Sequence, residues 1–351
     1  MNLRVARVLS APGAFRVFLV LVVVLHHSFP IRLGAWAVYV FFILSGYWIA
    51  RMWRGKYLKT RQPYLTYVAS RWMRLAPVFM ICITLQVLTK ISLNDVNNPY
   101  WLNFGWWIRQ FLIVGSTAAG GILPPSWSLD VEMQFYLVAP LLILLGNRAP
   151  IVATLGGIVS LGYFTAHLLA GGAFDEANLL FYLIYFIAGI LIARADWRPS
   201  GKLALASLLA SGIVVVVLLV LPQTRGAVLA RGAGPPPQAG ILVGVVLATT
   251  ALLIVPFVAW NVRQISDSFD RWLGNLAYPI YLFHWIPREF YYALVDWSRP
   301  AWINASLLLA NGLVAILGGI IILFIDTPLD GLRGRWVKGR LVEAQERQGR
   351  S

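Results

Sequence analysis

Charge is scarce in this chain. Only 12% of its 351 residues are Asp, Glu, Lys or Arg, 59% are hydrophobic, and the mean hydropathy is +0.72, a balance that excludes a soluble globular domain. Cysteine is nearly absent: the single Cys82 excludes an intramolecular disulfide and a cysteine-based zinc site, and its place in an apolar run points to packing. The first apolar run carries Arg16, His26 and His27 and has no small-residue cleavage site, so it reads as a retained helix rather than a signal peptide. Internal repeats and inverted half-symmetry, which mark many transporters, are also missing.

What is present is a series of continuous apolar runs. About ten are long enough to cross a bilayer, near 14–30, 35–50, 75–90, 130–146, 150–170, 179–193, 203–221, 240–260, 274–294 and 301–325. Continuous runs predict helices, because barrel strands would alternate. The expected fold is therefore all-α, a polytopic transmembrane helical bundle of about ten spans. The net charge of +15 needs no nucleic acid to explain it. With ten spans and a cytoplasmic N-terminus, 22 of the 29 Lys and Arg fall in cytoplasmic pieces, chiefly Arg4 to Arg16, Arg51 to Arg74 and the tail from Arg333. That asymmetry obeys the positive-inside rule and puts both termini in the cytoplasm.

Most connections are short, so the bundle itself must carry any chemistry. Two exterior segments are longer: 91–129, rich in Trp and Pro, and 222–239, whose "RGAGPPPQAG" predicts an irregular, exposed stretch. Within the first, 100–116 reads as an interfacial or partly re-entrant helix.

Four constellations hold polar groups at membrane depth, where each needs a partner or a function. In "FRVFLVLVVVLHHSFP" (15–30), eleven residues return a helix to within about 20° of its starting azimuth, so Arg16 and His27 share a face about 16 Å apart. His26 points elsewhere, toward a neighbouring helix or the headgroups; a snorkelling Arg and an interfacial His are the bland alternative. In "ASRWMRLAP" (69–77), Arg71 and Arg74 stand one turn apart at the cytoplasmic mouth of the third span. Two guanidinium forks suit phosphate oxygens, and they equally suit a positive-inside anchor. In "PPSWSLDVEMQFYLVAPLL" (124–142), Ser128, Glu132 and Tyr136 line one stripe at the outer end of the fourth span, and Asp130 reads as a helix-start residue. In "LAYPIYLFHWIPREF" (276–290), Tyr281, His284 and Arg288 fall on one face, with a hydrogen-bonded core histidine as the alternative. His167 has no charged companion nearby and reads as interfacial. Trp101, Trp106, Trp107 and Trp127 suit either a membrane interface or stacking on sugar rings.

Together these motifs resemble the acyltransferase 3 family of integral membrane acyltransferases. Arg16 and His27 match its basic-residue, ten-residue, histidine signature; "FFILSGYWIA" (41–50) its "FFxLSG" stretch; Arg71 and Arg74 its Arg-x-x-Arg; and Trp127 to Leu137 its "WSLxxExQFYL". "YPIYLFHWIP" (278–287) matches its late histidine pattern, and Asp326, Thr327 and Pro328 stand for its final "E-x-P", with Asp replacing Glu. Ala277 stands where a Ser is common, and Pro287 comes one residue late.

The resemblance implies an O-acyltransferase, most often an O-acetyltransferase of cell-surface glycans, in a bacterial inner membrane. Residues 1–335 would form the acyltransferase domain and 336–351 a basic cytoplasmic tail, in a stand-alone member without the soluble esterase-like domain some relatives carry. It implies no metal and no permanently bound cofactor. The co-substrate would be acetyl-CoA or another acyl-CoA, with Arg16, Arg71 and Arg74 at its phosphates. The acceptor would be a surface glycan or lipid-linked saccharide, with Ser128, Tyr136, Tyr281, His284 and Trp127 on its side of the site. His27 would act as general base, supported by Glu132, with a covalent acyl intermediate as the alternative route. Membrane lipid is the remaining expected partner; the sequence sets no oligomeric state. A secondary transporter or exporter with an intramembrane His/Glu/Arg relay is the rival reading. A scaffold role leaves the buried polar groups without a purpose.

Overall fold

The computed structural model of the chain describes residues 11–28, 31–95, 100–173, 175–229, 237–294 and 301–348. Every regular element among them is helical. In chain order the helices are α1 (Pro12–Ser28), α2 (Gly34–Gly55), α3 (Pro63–Ser92), α4 (Phe104–Leu112), α5 (Trp127–Arg148), α6 (Pro150–Leu169) and α7 (Leu179–Ala195). They continue as α8 (Gly201–Val220), α9 (Pro222–Leu229), α10 (Pro237–Leu253), α11 (Val255–Asn261), α12 (Ser268–Phe283), α13 (Trp285–Leu294) and α14 (Ala301–Gln348).

Six helical segments are long and apolar enough to cross a membrane: Gly34–Lys59, Pro63–Ser92, Pro124–Arg148, Pro150–Leu169, Gly201–Val220 and Ile303–Gln345. Ala239–Leu253 and Val255–Asn261, bent by 42° at their junction, make a seventh if taken as one span. Two apolar helices, Pro12–Ser28 and Leu179–Ala195, are shorter, at 17 residues each. The outward faces carry the signature of a lipid solvent: Leu205, Leu209, Ile213, Val216 and Val220 on α8, and Leu309, Leu313, Leu317, Ile321 and Phe324 on α14, are each more than half exposed. Such helical stripes of bare aliphatic surface are stable only against hydrocarbon. The protein is a helical membrane protein.

Close helix packing centres on α2 and α7. A Cβ at Gly46 would lie 2.2 Å from the carbonyl oxygen of Phe186, and one at Gly189 would lie 2.1 Å from that of Ile43, so only glycine lets these backbones meet. Around the crossing lies an aromatic core in which Tyr39 stacks on Tyr185 with centroids 4.9 Å apart and Phe135 on Phe186 at 4.0 Å. Helix α1 is clamped differently. Asp270, near the start of α12, accepts bonds from the Gly13 and Ala14 amides at 3.0 and 2.8 Å, satisfying two of the orphan donors at the N-terminus of α1.

Three local expectations are corrected. The third apolar run is part of a longer helix: Pro63 opens a helix that runs to Ser92, so Arg71 and Arg74 stand about two to three turns into it. The stretch from 222 is not irregular throughout, because Pro222 starts α9; Thr224 Oγ1 bonds the Leu218 carbonyl at 2.8 Å, and the Val228 carbonyl accepts from the Arg32 amide at 2.8 Å. The following 230–236 lie outside the described residues, as do Arg4, Arg7 and 349–351. Asp130 does not serve only its own helix start. Its carboxylate accepts from the Gly115 and Thr117 amides at 2.9 and 3.2 Å, tying down the turn after α4, where Ile113 adopts φ +70°. Segment 104–112 is a short helix exposing Phe104, Ile108, Phe111 and Leu112.

Candidate active site

A cavity of about 650 Å³ opens between α1, α2, α3, α5, α12 and α14, within the size range of small-molecule sites. One region of its wall is cationic: Arg16, Arg71, Arg74, Arg271 and Arg333 all line it. Arg74 donates to Asp326 at 2.7 Å and lies 3.6 Å from Asp330. Arg71, buried, donates to the Tyr57 hydroxyl at 2.9 Å, and that hydroxyl is 3.0 Å from Ser70 Oγ. Arg333 donates to Asp330 at 2.6 Å. Arg16 lies over the Trp48 ring, 5.7 Å from its centroid, and makes no ion pair or hydrogen bond from its guanidinium among the described residues.

The same cavity holds the stripe read from α5. Ser128, Glu132 and Tyr136 all line it. Glu132 Oε1 accepts from both Ser45 Oγ and the Tyr136 hydroxyl, each at 2.5 Å. Oε2 has no protein donor among the described residues and belongs to the cavity wall. Two hydroxyl donors thus fix one oxygen of the carboxylate and leave the other with acceptor capacity to spare. Ser128 Oγ is 2.6 Å from the Tyr281 hydroxyl, and the Pro125 carbonyl lies 3.1 and 3.2 Å from the two oxygens, so one hydroxyl donates to the other and that one to the carbonyl. Trp127 is not on this wall; its ring packs between Phe42 and Tyr182, at 6.1 and 5.4 Å, in the aromatic core.

His27 and His284 are elsewhere. They meet each other at the far end of α1 from Arg16, with ring centroids 5.3 Å apart, and Trp285 stands edge-on to His27 at 5.0 Å. Neither histidine is part of the cavity wall, and Glu132 does not bond His27. Arg288 is wedged between the rings of Trp285 and Tyr292, at 3.9 and 4.2 Å, and its Nε donates to the His27 carbonyl at 2.8 Å. His284 Nδ1 donates to the Tyr281 carbonyl at 2.7 Å, which leaves the lone pair of the neutral ring on Nε2. That Nε2 is buried without a partner among the described residues. Tyr281 therefore joins the two regions: its hydroxyl faces the cavity and its carbonyl fixes His284.

His26 touches this pair, its ring edge-on to that of His27 with centroids 4.5 Å apart, but its polar atoms are engaged elsewhere: it donates through Nδ1 to the Ile31 carbonyl at 2.9 Å and packs on Gly34, where a Cβ would come 2.6 Å from the ring. His167 does have an acidic companion, against the sequence expectation: Glu176 Oε1 lies 3.0 Å from Nε2, brought near by the turn that ends α6. Trp106 and Trp107 are pinned by indole bonds to the Gly120 and Trp101 carbonyls, both local. Sequence reasoning missed Ser45, Asp270 and Arg333. Ser45 had a signal in "FFILSG"; the other two meet their partners only through the fold.

An acyltransferase family model, described as an acyltransferase domain, matches residues 10–325 of the chain. The chain belongs to this acyltransferase 3 family, and it is a membrane acyltransferase. It is 24% identical over 343 residues to the acyltransferase MdmB of Streptomyces mycarofaciens, covering 86% of this chain and 82% of the relative. It is 26% identical over 365 residues to the O-acetyltransferase OatA of Staphylococcus aureus strain NCTC 8325 / PS 47, covering 92% of this chain. In that alignment it spans 57% of OatA's length. No solved structure matches it.

Proposed function

We propose that the protein transfers an acyl group, most simply acetyl, from cytoplasmic acyl-CoA to a hydroxyl of a surface or lipid-linked glycan. The observation that carries this reading is the polarity of the cavity: a cluster of arginines in its wall and, past Tyr281, a pair of histidines with no carboxylate bonded to either ring among the described residues. The arginine region takes the phosphates of CoA, with Arg16 and Arg71 in its wall and Arg74 held behind them by Asp326, and the pantetheine arm runs along the wall past Glu132 toward Tyr281. Trp127 shapes the acceptor side from behind, through Phe42. The acceptor hydroxyl gives its proton to His27 as its oxygen attacks the thioester carbonyl; the C–S bond breaks, and the CoA thiolate leaves and takes up the proton. Glu132, held by Ser45 and Tyr136, sets the field along the acyl path rather than touching the imidazole.

The chain crosses a bacterial inner membrane ten times in this reading. The six long spans and the bent pair are joined by α1, α7 and the broken α12–α13 segment, with both termini and the basic stretch 336–351 in the cytoplasm. The positive-inside charge distribution supports it.

The decisive experiment reconstitutes purified protein in liposomes with labelled acyl-CoA and glycan. Label should move into the glycan, and His27→Ala should lower that transfer about 100- to 10,000-fold while leaving the protein in the membrane. Solute flux without acylation, or near-normal transfer by the variant, would overturn the reading.

A further inference from the structure

Five arginines line one cavity, but they are not equally available. Arg74 is engaged by two carboxylates, Asp326 at 2.7 Å and Asp330 at 3.6 Å, and Asp326 is buried. Its charge is consumed inside the protein. Arg71 has no carboxylate partner among the described residues: its guanidinium donates to the Tyr57 hydroxyl, and its Nε is buried with no acceptor among them. Arg333 shares Asp330 with Arg74, donates weakly to Ser70 Oγ at 3.5 Å, and also carries a buried Nε without an acceptor. Tyr57, bonded to Arg71, and Ser70, bonded to Arg333, are 3.0 Å apart and so link the two guanidinium groups. Lys56 lies 5.7 Å over the Tyr57 ring, within electrostatic reach of Arg71 and Arg333. Four cations here face two carboxylates, so the group holds two surplus positive charges.

A buried guanidinium with an unfilled donor is expensive, and the expense is removed when an anion completes its hydrogen bonds. We infer that Arg71 and Arg333, backed by Lys56, form a phosphate-binding fork for the nucleotide end of the acyl donor, while Arg74 acts as an internal brace. The inference rests on the donor reading above and deepens it. Two planar forks in one cavity wall, linked through Tyr57 and Ser70, suit a phosphate or diphosphate, and the surplus charge matches a dianion. Arg333 reaches the site only because α14 continues unbroken past Pro328, so the stretch after the last span contributes directly to the ligand site.

The test measures binding of CoA, pantetheine and inorganic phosphate to the full chain in phosphatidylcholine nanodiscs. Pantetheine keeps the thiol arm and lacks the 3′-phosphoadenosine diphosphate, so the ratio of its Kd to that of CoA reads the contribution of the nucleotide end. Arg333→Gln should lower that ratio about ten- to hundredfold, and Arg333→Lys, which keeps the charge and loses the fork, should fall between. Lys338→Gln, an exposed neighbour on α14, should leave it unchanged. An unchanged ratio in Arg333→Gln overturns this inference and leaves the donor reading standing. Wild-type protein that binds CoA no better than pantetheine overturns the donor reading itself. Loss of CoA binding on adding phosphatidylglycerol, in wild type but not in Arg333→Gln, would give the fork to a lipid headgroup and overturn its assignment to the donor.

Discussion

The arginine and histidine regions of this site are both polar and both membrane-embedded, yet they solve the problem of buried charge in opposite ways. Around the arginines, charge is kept and partly neutralised: Asp326 and Asp330 hold Arg74, while Arg71 and Arg333 are left with donors to spare. Around the histidines, charge is present but spent elsewhere: the Arg288 guanidinium bonds the His27 carbonyl and stacks between the Trp285 and Tyr292 rings instead of bonding an imidazole. His27 and His284 face each other and Trp285, and the nearby carboxylate, Glu289, is taken by Trp285 Nε1 at 2.7 Å, Gln86 at 3.3 Å and Lys90 at 3.5 Å. A region that holds a highly charged ligand benefits from permanent cations. A region that must accept and release a proton benefits from neutral imidazoles with a free lone pair.

The contrast can be broken most severely at His27. Comparing His27→Ala with His26→Ala should separate a loss of about 100- to 10,000-fold in turnover from one within a few fold, since His26 is bonded to the Ile31 carbonyl and packed on Gly34. CoA affinity should survive both, because the phosphate end is remote from either ring. At the other region, Asp326→Ala leaves Arg74 without its 2.7 Å partner and should cost about 3–5 kcal/mol of stability, seen as a lower melting temperature in detergent. Ser45→Ala removes one of the two donors that hold Glu132 and should cost about 1.5–3 kcal/mol, read as slower transfer with little change in melting. Tyr281→Phe sharpens the seam between the regions: it deletes the hydroxyl contact with Ser128 but keeps the backbone carbonyl that fixes His284, so a loss of about 1 kcal/mol is expected. A far larger loss in that variant would mean that the hydroxyl itself takes part in transfer.

Helical spacing alone gave the parts of this site that lie on one element. Ser128, Glu132 and Tyr136 do line one wall, because i, i+4 geometry is local and survives any packing. Arg16 and His27 do lie toward opposite ends of one helix, but which neighbours each meets depends on α12 and α13, more than 240 residues away. The same distance hid the Arg74–Asp326 pair, whose members are separated by 252 residues, and the Asp270 clamp on α1, separated by 257. Proline misled in the stretch from 222, where it opened a helix instead of a loop; the residue suits a first helical turn as well as a break.

The clamp on α1 has a mechanical consequence. Asp270 holds the Gly13 and Ala14 amides, and Gly13 is pressed so closely on α12 that an added Cβ would come 1.8 Å from the Asp270 carbonyl oxygen. The far end is held as well: about 20 Å along the helix from Gly13, the His27 carbonyl accepts from Arg288 at 2.8 Å and Ser28 Oγ accepts from Asn311 at 2.9 Å. A helix pinned at both ends acts as a fixed strut, so the spacing between the Arg16 and His27 regions is set by its length and not by the ligand that bridges them.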